Sequence, residues 1–187
     1  MYHMPKFMRP YTERIVDVIG DGHCGFRAIA ESVGLAEEGH VMVRRPLIKE
    51  LKEHTNKNNE IYVSERCYNY IVDGLHPPKN ASSFAPPDKW LTLPDMGHIV
   101  ASCYNRTVLV MTTLDIGVSE TFFSLRGRPP VNPKSNMIFL GLILNHFVLL
   151  SLKDGCPLPP SSTEWKNHKS IEAATWEDEF LDQHDRF

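Results

Sequence analysis

The spacing of hydrophobic residues changes along the chain, from a helical period in most of the first half to a strand period in the second half. Apolar residues recur at helical intervals up to about residue 104 and at strand intervals beyond residue 107. The predicted helices cover residues 24–33, about 41–54, about 63–72 and 93–104. The predicted strands cover residues 14–19, 107–112, 121–125, 137–142 and 146–152. This order indicates a mixed domain, α+β or α/β.

Polar and proline-rich segments mark the connections and a change of character near the C-terminus. Residues 75–87 are rich in Pro, Ser and Asn, which predicts a surface loop. From about residue 156 the chain becomes Pro- and Ser-rich and then acidic. We therefore expect a domain over residues 1–155 and a tail over residues 156–187 that packs loosely on it, with Trp165 and Trp176 as possible points of contact.

The most apolar segment, residues 137–152, could be mistaken for a membrane span. It is shorter than the roughly 20 residues that a helix needs to cross a bilayer, and Asn145 and His146 lie near its centre. A continuous apolar run of this kind is typical of strands buried on both faces. We predict two such strands joined by a tight turn near residues 143–145.

Composition narrows the functional classes. The 187 residues are 42% hydrophobic and 23% charged, which fits one globular domain with a proper core. The net charge is −3 and no Lys/Arg run exceeds the pair Arg44-Arg45, so a nucleic-acid footprint is not expected. Four scattered cysteines without a C-x-x-C pair indicate reduced thiols, and no apolar signal segment opens the chain. These features favour a cytoplasmic or nuclear protein without a metal.

The junction between the first predicted strand and the first predicted helix carries the candidate nucleophile. Residues 14–19 read as a strand, residues 20–25 break it, and Cys24 falls in the first turn of the helix. A sulfur there lies near the positive end of the helix dipole, so we expect its thiolate to be stabilised. Taken alone, the junction fits a buried structural cysteine equally well.

The same residues also match the G-x-G-x-x-G pattern of dinucleotide-binding turns. That function needs a site free of negative charge for the phosphates and an acidic residue about 20 positions on for the ribose. Here Asp21 would repel phosphates, and Arg44, Arg45 and Pro46 occupy the later region. The nucleotide interpretation is therefore disfavoured.

Nine histidines could supply the base that a thiol nucleophile needs, since an imidazole titrates near neutral pH. His146 stands apart because it opens an apolar strand, where a buried polar ring requires a partner. His23 adjoins Cys24, but neighbouring side chains at such a turn usually diverge, and His98 lies off the apolar face of its helix. The others occur in polar stretches and are expected in solvent: His3, His40, His54, His76, His168 and His184.

Three segments together resemble the ovarian-tumour (OTU) family of cysteine proteases. Residues 20–30, GDGHCGFRAIA, are similar to the family's Asp-Gly-x-Cys-x-x-Arg signature. Residues 145–148, NHFV, resemble its histidine strand, in which an aromatic residue follows the base. Trp90, the helix near residues 95–101 and the strand at residues 108–110 are similar to the segment between these motifs. The resemblance spans about residues 16–152 and is greatest to divergent fungal OTU-like domains.

The resemblance implies a papain-like α+β fold, with a small, mostly antiparallel central sheet flanked by helices and the nucleophile at a helix N-terminus. It implies a thiol-dependent deubiquitinase that cuts isopeptide or peptide bonds at the C-terminus of ubiquitin. It also implies ubiquitin, polyubiquitin or a ubiquitin-like modifier as partner, a monomer, and no cofactor, metal, nucleic acid or membrane. The implied catalytic residues are Cys24, His146 and Asp21, with Gly22 and His23 in the oxyanion loop and Phe147 and Trp90 along the substrate channel.

One position departs from the family pattern. Many members place an Asp or Asn two residues after the histidine to orient its ring, and this chain has Val148 there. Asp17 or Glu13 could supply the third group instead, or the enzyme could work with two catalytic residues. For Arg27, we expect a structural salt bridge rather than a contact with substrate.

Three functions therefore remain open at the level of sequence. The first is an active deubiquitinase, which the Cys24–His146 pair favours. The second is a ubiquitin-binding module that has kept the fold and lost turnover, for which Val148 argues. The third is a thiol hydrolase or transferase that acts on another acyl group.

Overall fold

A five-stranded sheet forms the centre of the protein. The computed structural model describes residues 4–187, and its sheet has the strand order β1-β5-β4-β2-β3. The strands are β1 (Thr12–Val16), β2 (Val108–Met111), β3 (Glu120–Phe122), β4 (Ile138–Ile143) and β5 (His146–Leu152). Only β2 and β4 pair in parallel, and the other neighbours are antiparallel. The predicted α+β class with a small, mostly antiparallel sheet is confirmed.

Helices cover both faces of this sheet. The α-helices are α1 (Cys24–Ser32), α2 (His40–Glu53), α3 (Thr55–Tyr62), α4 (Glu65–Leu75), α5 (Gly97–Tyr104), α6 (Thr163–His168), α7 (Thr175–Asp178) and α8 (Leu181–Asp185). Short 3-10 helices cover Lys6–Tyr11, Glu37–Gly39, Pro87–Lys89 and Glu172–Ala174. The sequence did not predict α3, because this polar helix buries only Asn58 and Tyr62 and shows no apolar periodicity.

The apolar segment at residues 137–152 forms the β4–β5 hairpin, as predicted. Leu144 and Asn145 make the turn, and Leu144 has a positive φ of 54°. Within residues 4–187, no helix is long and apolar enough to cross a membrane.

The sheet separates two hydrophobic cores. Side chains on β2 alternate between them, with Val108 and Val110 in the first core and Leu109 and Met111 in the second. The first core is completed by α1, α2, α4 and α5. The second core is completed by Trp165, Trp176 and Phe180, together with Met4 and Met8 near the N-terminus.

The expectation of a loosely packed tail after residue 155 is wrong. Trp165, Trp176 and Phe180 are fully buried, and their rings surround Phe123, which follows β3. The Trp165 indole also donates a hydrogen bond of 3.0 Å to the Ser124 carbonyl. The second face of the sheet is apolar and needs a cover, and this segment provides it.

We predict that Trp176→Ala destabilises the protein by about 3–5 kcal/mol, because the change empties a fully buried site in the second core. Ile171→Ala is the control in the same segment: Ile171 is 94% exposed, so its loss should change stability by at most about 0.5 kcal/mol. Urea unfolding followed by circular dichroism measures both. Equal small effects would show that the segment is not part of the cooperative fold.

Candidate active site

Cys24 is the first residue of α1 and packs against the start of β5. Its side chain is buried, and the backbone N–H of Phe147 donates to Sγ across 3.4 Å. The amide that touches the sulfur therefore belongs to the residue directly after His146. The contact between α1 and β5 therefore places the Cys24 sulfur next to the residue that follows His146.

The His146 ring lies at the edge of this contact and is held by Asp17. Nε2 of His146 lies 2.7 Å from Oδ1 of Asp17. Residues 20–23, which lead into Cys24, are called the nucleophile loop here. The other ring nitrogen of His146 faces the start of this loop, since a Cβ at Gly20 would lie 3.5 Å from His146 Nδ1. The imidazole is partly exposed, whereas the Asp17 side chain is 82% exposed. The pair is thus open to solvent, unlike the sulfur.

Asp17 occupies the place of the orienting acid that is absent from β5. Val16 pairs with Leu149 across the sheet, and continuing this register by one residue places Asp17 opposite Val148. Cross-strand neighbours share a face, so an acid directly after β1 can reach the histidine as one on β5 would. Val148 is buried in the second core, and Glu13 accepts a hydrogen bond from Ser151 instead of contacting the ring.

The Asp21 carboxylate is bound away from the His146 ring. Its two oxygens accept hydrogen bonds from Nε and Nη2 of Arg27, and the His23 N–H also donates to it. Burial alone would raise the pKa of Asp21, but these hydrogen bonds and the Arg27 charge outweigh it, and the pKa is lowered. The salt bridge predicted for Arg27 is confirmed, and it holds the nucleophile loop to α1.

Gly22 allows residues 85–90 to pack directly on the nucleophile loop. Gly22 has a φ of 84°, and an added Cβ would collide with the Ala85 carbonyl and lie 2.6 Å from the Trp90 indole nitrogen. That indole donates to the Ala85 carbonyl across 2.9 Å, while the Ala85 N–H donates to Asp21 O across 2.8 Å. Trp90 therefore braces the loop behind the nucleophile.

Phe147 does not line an open channel. Its side chain is 6% exposed and belongs to the first core, where the ring packs against Gly25. The expectation of a channel wall is wrong for this residue because alternation along β5 turns its ring toward α1.

Several histidines lie elsewhere than expected. His40 and His98 are buried, and burial lowers the pKa of His40 to about 4 and that of His98 to about 3. His98 contacts Asn58, so the predicted orientation off the core is wrong. Of the remaining histidines expected in solvent, His76 is exposed, His54, His168 and His184 are half-buried, and His3 lies outside the described residues.

The expectation of a stabilised Cys24 thiolate is also wrong for the resting protein. Burial raises the pKa of the Cys24 thiol, and the Asp21 charge acts in the same direction. Hydrogen bonds from the N–H groups of Phe147 and Gly25 lower it without compensating fully. The sequence showed the helix N-terminus but not the depth of burial, which removes water from the sulfur. Any reaction in which this sulfur acted as a nucleophile would therefore need a base to take its proton.

Comparison with solved structures identifies the fold. No protein-family profile and no curated protein matches the sequence. The chain has the OTU fold: 79% of it superposes on 85% of the OTU domain protease of Dera Ghazi Khan virus, with a TM-score of 0.56 and 13% identity. Likewise, 79% of the chain superposes on 88% of the Farallon virus OTU protease, with a TM-score of 0.52 and 18% identity. The Hazara virus OTU was solved bound to ubiquitin. Here 80% of the chain superposes on 87% of that domain, with a TM-score of 0.51 and 16% identity.

We predict that Cys24 is alkylated by iodoacetamide with a pH profile whose inflection lies above that of a cysteine in an unstructured peptide under the same conditions. The reason is that the thiol loses its proton less readily in its buried position. Peptide mass spectrometry separates Cys24 from the exposed Cys67. A rate that reaches its plateau below neutral pH would instead reveal a standing thiolate–imidazolium pair.

Proposed function

We propose that this protein is a thiol-dependent deubiquitinase that hydrolyses isopeptide or peptide bonds at the C-terminus of ubiquitin or a ubiquitin-like modifier. The observation that carries the proposal is the 3.4 Å contact between Cys24 Sγ and the amide next to His146. This contact supports the proposal because it places the candidate nucleophile next to the residue that follows the candidate base, on an OTU fold. The ubiquitin-bound Hazara virus OTU, which shares that fold, supports ubiquitin as the partner.

The geometry suggests how the reaction would proceed. Nε2 of His146 is held by Asp17, so Nδ1 is the nitrogen that can take the Cys24 proton as the sulfur attacks the scissile carbonyl. Asp17 then stabilises the imidazolium. The imidazolium returns the proton to the leaving lysine amine, and water hydrolyses the thioester through the same base.

The developing oxyanion would be stabilised at the N-terminus of α1. The N–H groups of the first helical turn have no partner within the helix, and they include that of Cys24 itself. Asp21 and Gly22 would contribute by holding the loop, through the Arg27 salt bridge and the contact with residues 85–90. Loss of one oxyanion donor typically costs about 100- to 1000-fold in kcat.

A binding module that has lost turnover is the second candidate. Two observations favour it: the raised thiol pKa and the exposure of Asp17, which weakens its pull on the imidazolium by solvent screening. A thiol hydrolase or transferase acting on another acyl group is the third candidate. It would have a reactive Cys24 that does not respond to ubiquitin.

We predict that a ubiquitin probe with a C-terminal electrophile captures the protein covalently. Capture should disappear in Cys24→Ala, because the sulfur is the atom that forms the bond. Intact-mass spectrometry measures the adduct, and Cys67→Ser, at an exposed cysteine, serves as the control that retains capture. Binding of ubiquitin without capture would indicate the binding module. A Cys24 that reacts with iodoacetamide but ignores the probe would indicate another acyl substrate.

We predict that His146→Ala abolishes di-ubiquitin cleavage and that Asp17→Asn lowers kcat by about 10- to 100-fold. The loss at Asp17 should be smaller than the roughly 10⁴-fold measured for a buried triad aspartate, because Asp17 is exposed and its charge is screened. Glu13→Gln is the matched control on β1, since Glu13 contacts Ser151 rather than the ring. Unchanged kcat in Asp17→Asn would mean that His146 is oriented without an acid.

A further inference from the structure

His23, which directly precedes Cys24, is fully buried, and both nitrogens of its ring have a hydrogen-bond partner. Its Nδ1 lies 3.1 Å from Nη2 of Arg44, and its Nε2 lies 3.1 Å from the Ser83 carbonyl. A guanidinium can only donate and a carbonyl can only accept. The ring is therefore neutral, with its proton on Nε2 and the Nδ1 lone pair occupied by Arg44.

Arg44 is a fully buried arginine that has no carboxylate partner among residues 4–187. Its Nη1 and Nη2 donate to the carbonyls of Gly74, Leu75 and Lys89, at 2.9, 3.3 and 2.8 Å. Gly74 and Leu75 end α4, where the helix dipole is negative, so these carbonyls balance part of the buried charge. The guanidinium carbon also lies 3.8 Å from the centre of the Phe26 ring in α1.

These contacts connect Arg44 to the nucleophile loop from two sides. Through His23 it fixes the residue before Cys24, and through Phe26 it contacts the turn that follows Cys24. The His23 ring in turn holds the Ser83 carbonyl, two residues before the Ala85 N–H that donates to Asp21. The loop at residues 76–86 is thus attached to the nucleophile loop at neighbouring points, and one attachment depends on the proton being on Nε2 of His23.

We propose that Arg44 is a positioning residue for the reaction at Cys24, which keeps His23 in the neutral Nε2–H form and thereby fixes the nucleophile loop against residues 76–86. The inference rests on the proposed function only where it refers to turnover. Arg44 has no exposed surface, so it contacts no substrate and should act on kcat rather than on KM. A simple structural role would not require one particular tautomer.

Removal of Arg44 has a defined electrostatic consequence. The groups that face His23 are Asp21, Arg27, Arg44 and His40, whose ring stacks on it at 4.2 Å. Burial lowers the pKa of His23, and the charges of Arg44 and Arg27 lower it further, against the effects of Ser83 and Asp21. Without Arg44, Nδ1 is free and one repelling charge is gone, so His23 becomes able to take a proton.

Arg44→Met tests the proposal, with Arg45→Met as the matched control at an exposed position of the same helix. Histidine-labelled ¹⁵N spectra should show His23 as the Nε2–H tautomer that does not titrate between about pH 5 and 8 in the wild type and in Arg45→Met. In Arg44→Met, the pKa of His23 should rise, because Nδ1 loses its donor and one repelling charge is gone while the ring stays buried. Its ¹⁵N signals should therefore change with pH at values where those of the wild type do not. The Cys24 alkylation profile of this variant should gain a second inflection at the pH where His23 takes its proton, since a charge then appears on the residue that precedes Cys24.

The kinetics of di-ubiquitin cleavage give a second measurement. Arg44→Met should lower kcat on di-ubiquitin by about tenfold with KM unchanged, while Arg45→Met retains wild-type values. If Arg44→Met does not fold, Arg44→Gln replaces it: glutamine removes the charge and cannot serve His23 and three carbonyls at once. A wild-type protein that cleaves no ubiquitin refutes the proposed function alone, because the spectra and the alkylation do not involve ubiquitin. A wild-type His23 that titrates, or an Arg44 variant with unchanged tautomer and alkylation profile, overturns the inference.

Discussion

The contact between the N-terminus of α1 and the first residues of β5 is the interaction on which the rest of the site depends. One hydrogen bond, from the Phe147 N–H to Cys24 Sγ, joins segments that are far apart in the chain. Strand β1 pairs with the other edge of β5 and brings Asp17 to His146. Because β5 lies between β1 and β4, it determines where the candidate nucleophile, the candidate base and Asp17 lie relative to one another.

The loop that carries Cys24 is held by buried polar groups rather than by hydrophobic packing alone. Asp21 pairs with Arg27, and His23 pairs with Arg44. Buried polar groups are costly when they lose their partners, so this network favours the loop conformation in which these hydrogen bonds are made. The same burial raises the pKa of the Cys24 thiol. Burial therefore fixes the position of the sulfur but also disfavours its thiolate form in the resting protein.

The second core explains why the C-terminal segment is part of the fold. Residues 146–152 alternate between the two faces of the sheet, and both faces are apolar. Trp165, Trp176 and Phe180 cover the face opposite α1 and so support β5 from behind. The apolar runs of the strands already implied that both faces are covered, but they did not indicate that the cover comes from the acidic C-terminal segment.

The sequence by itself determined the strands, most of the helices, and the candidate nucleophile and base, because hydrophobic spacing and the residues around Cys24 and His146 are local features. Strand β5 was predicted with its observed bounds. Only the tertiary structure decided which acid orients His146, since Asp17 reaches the ring across the sheet and no spacing along the chain shows this. It also decided the thiol pKa and the burial of His23, His40 and Arg44, because desolvation depends on what packs around a group, and those neighbours come from distant parts of the chain.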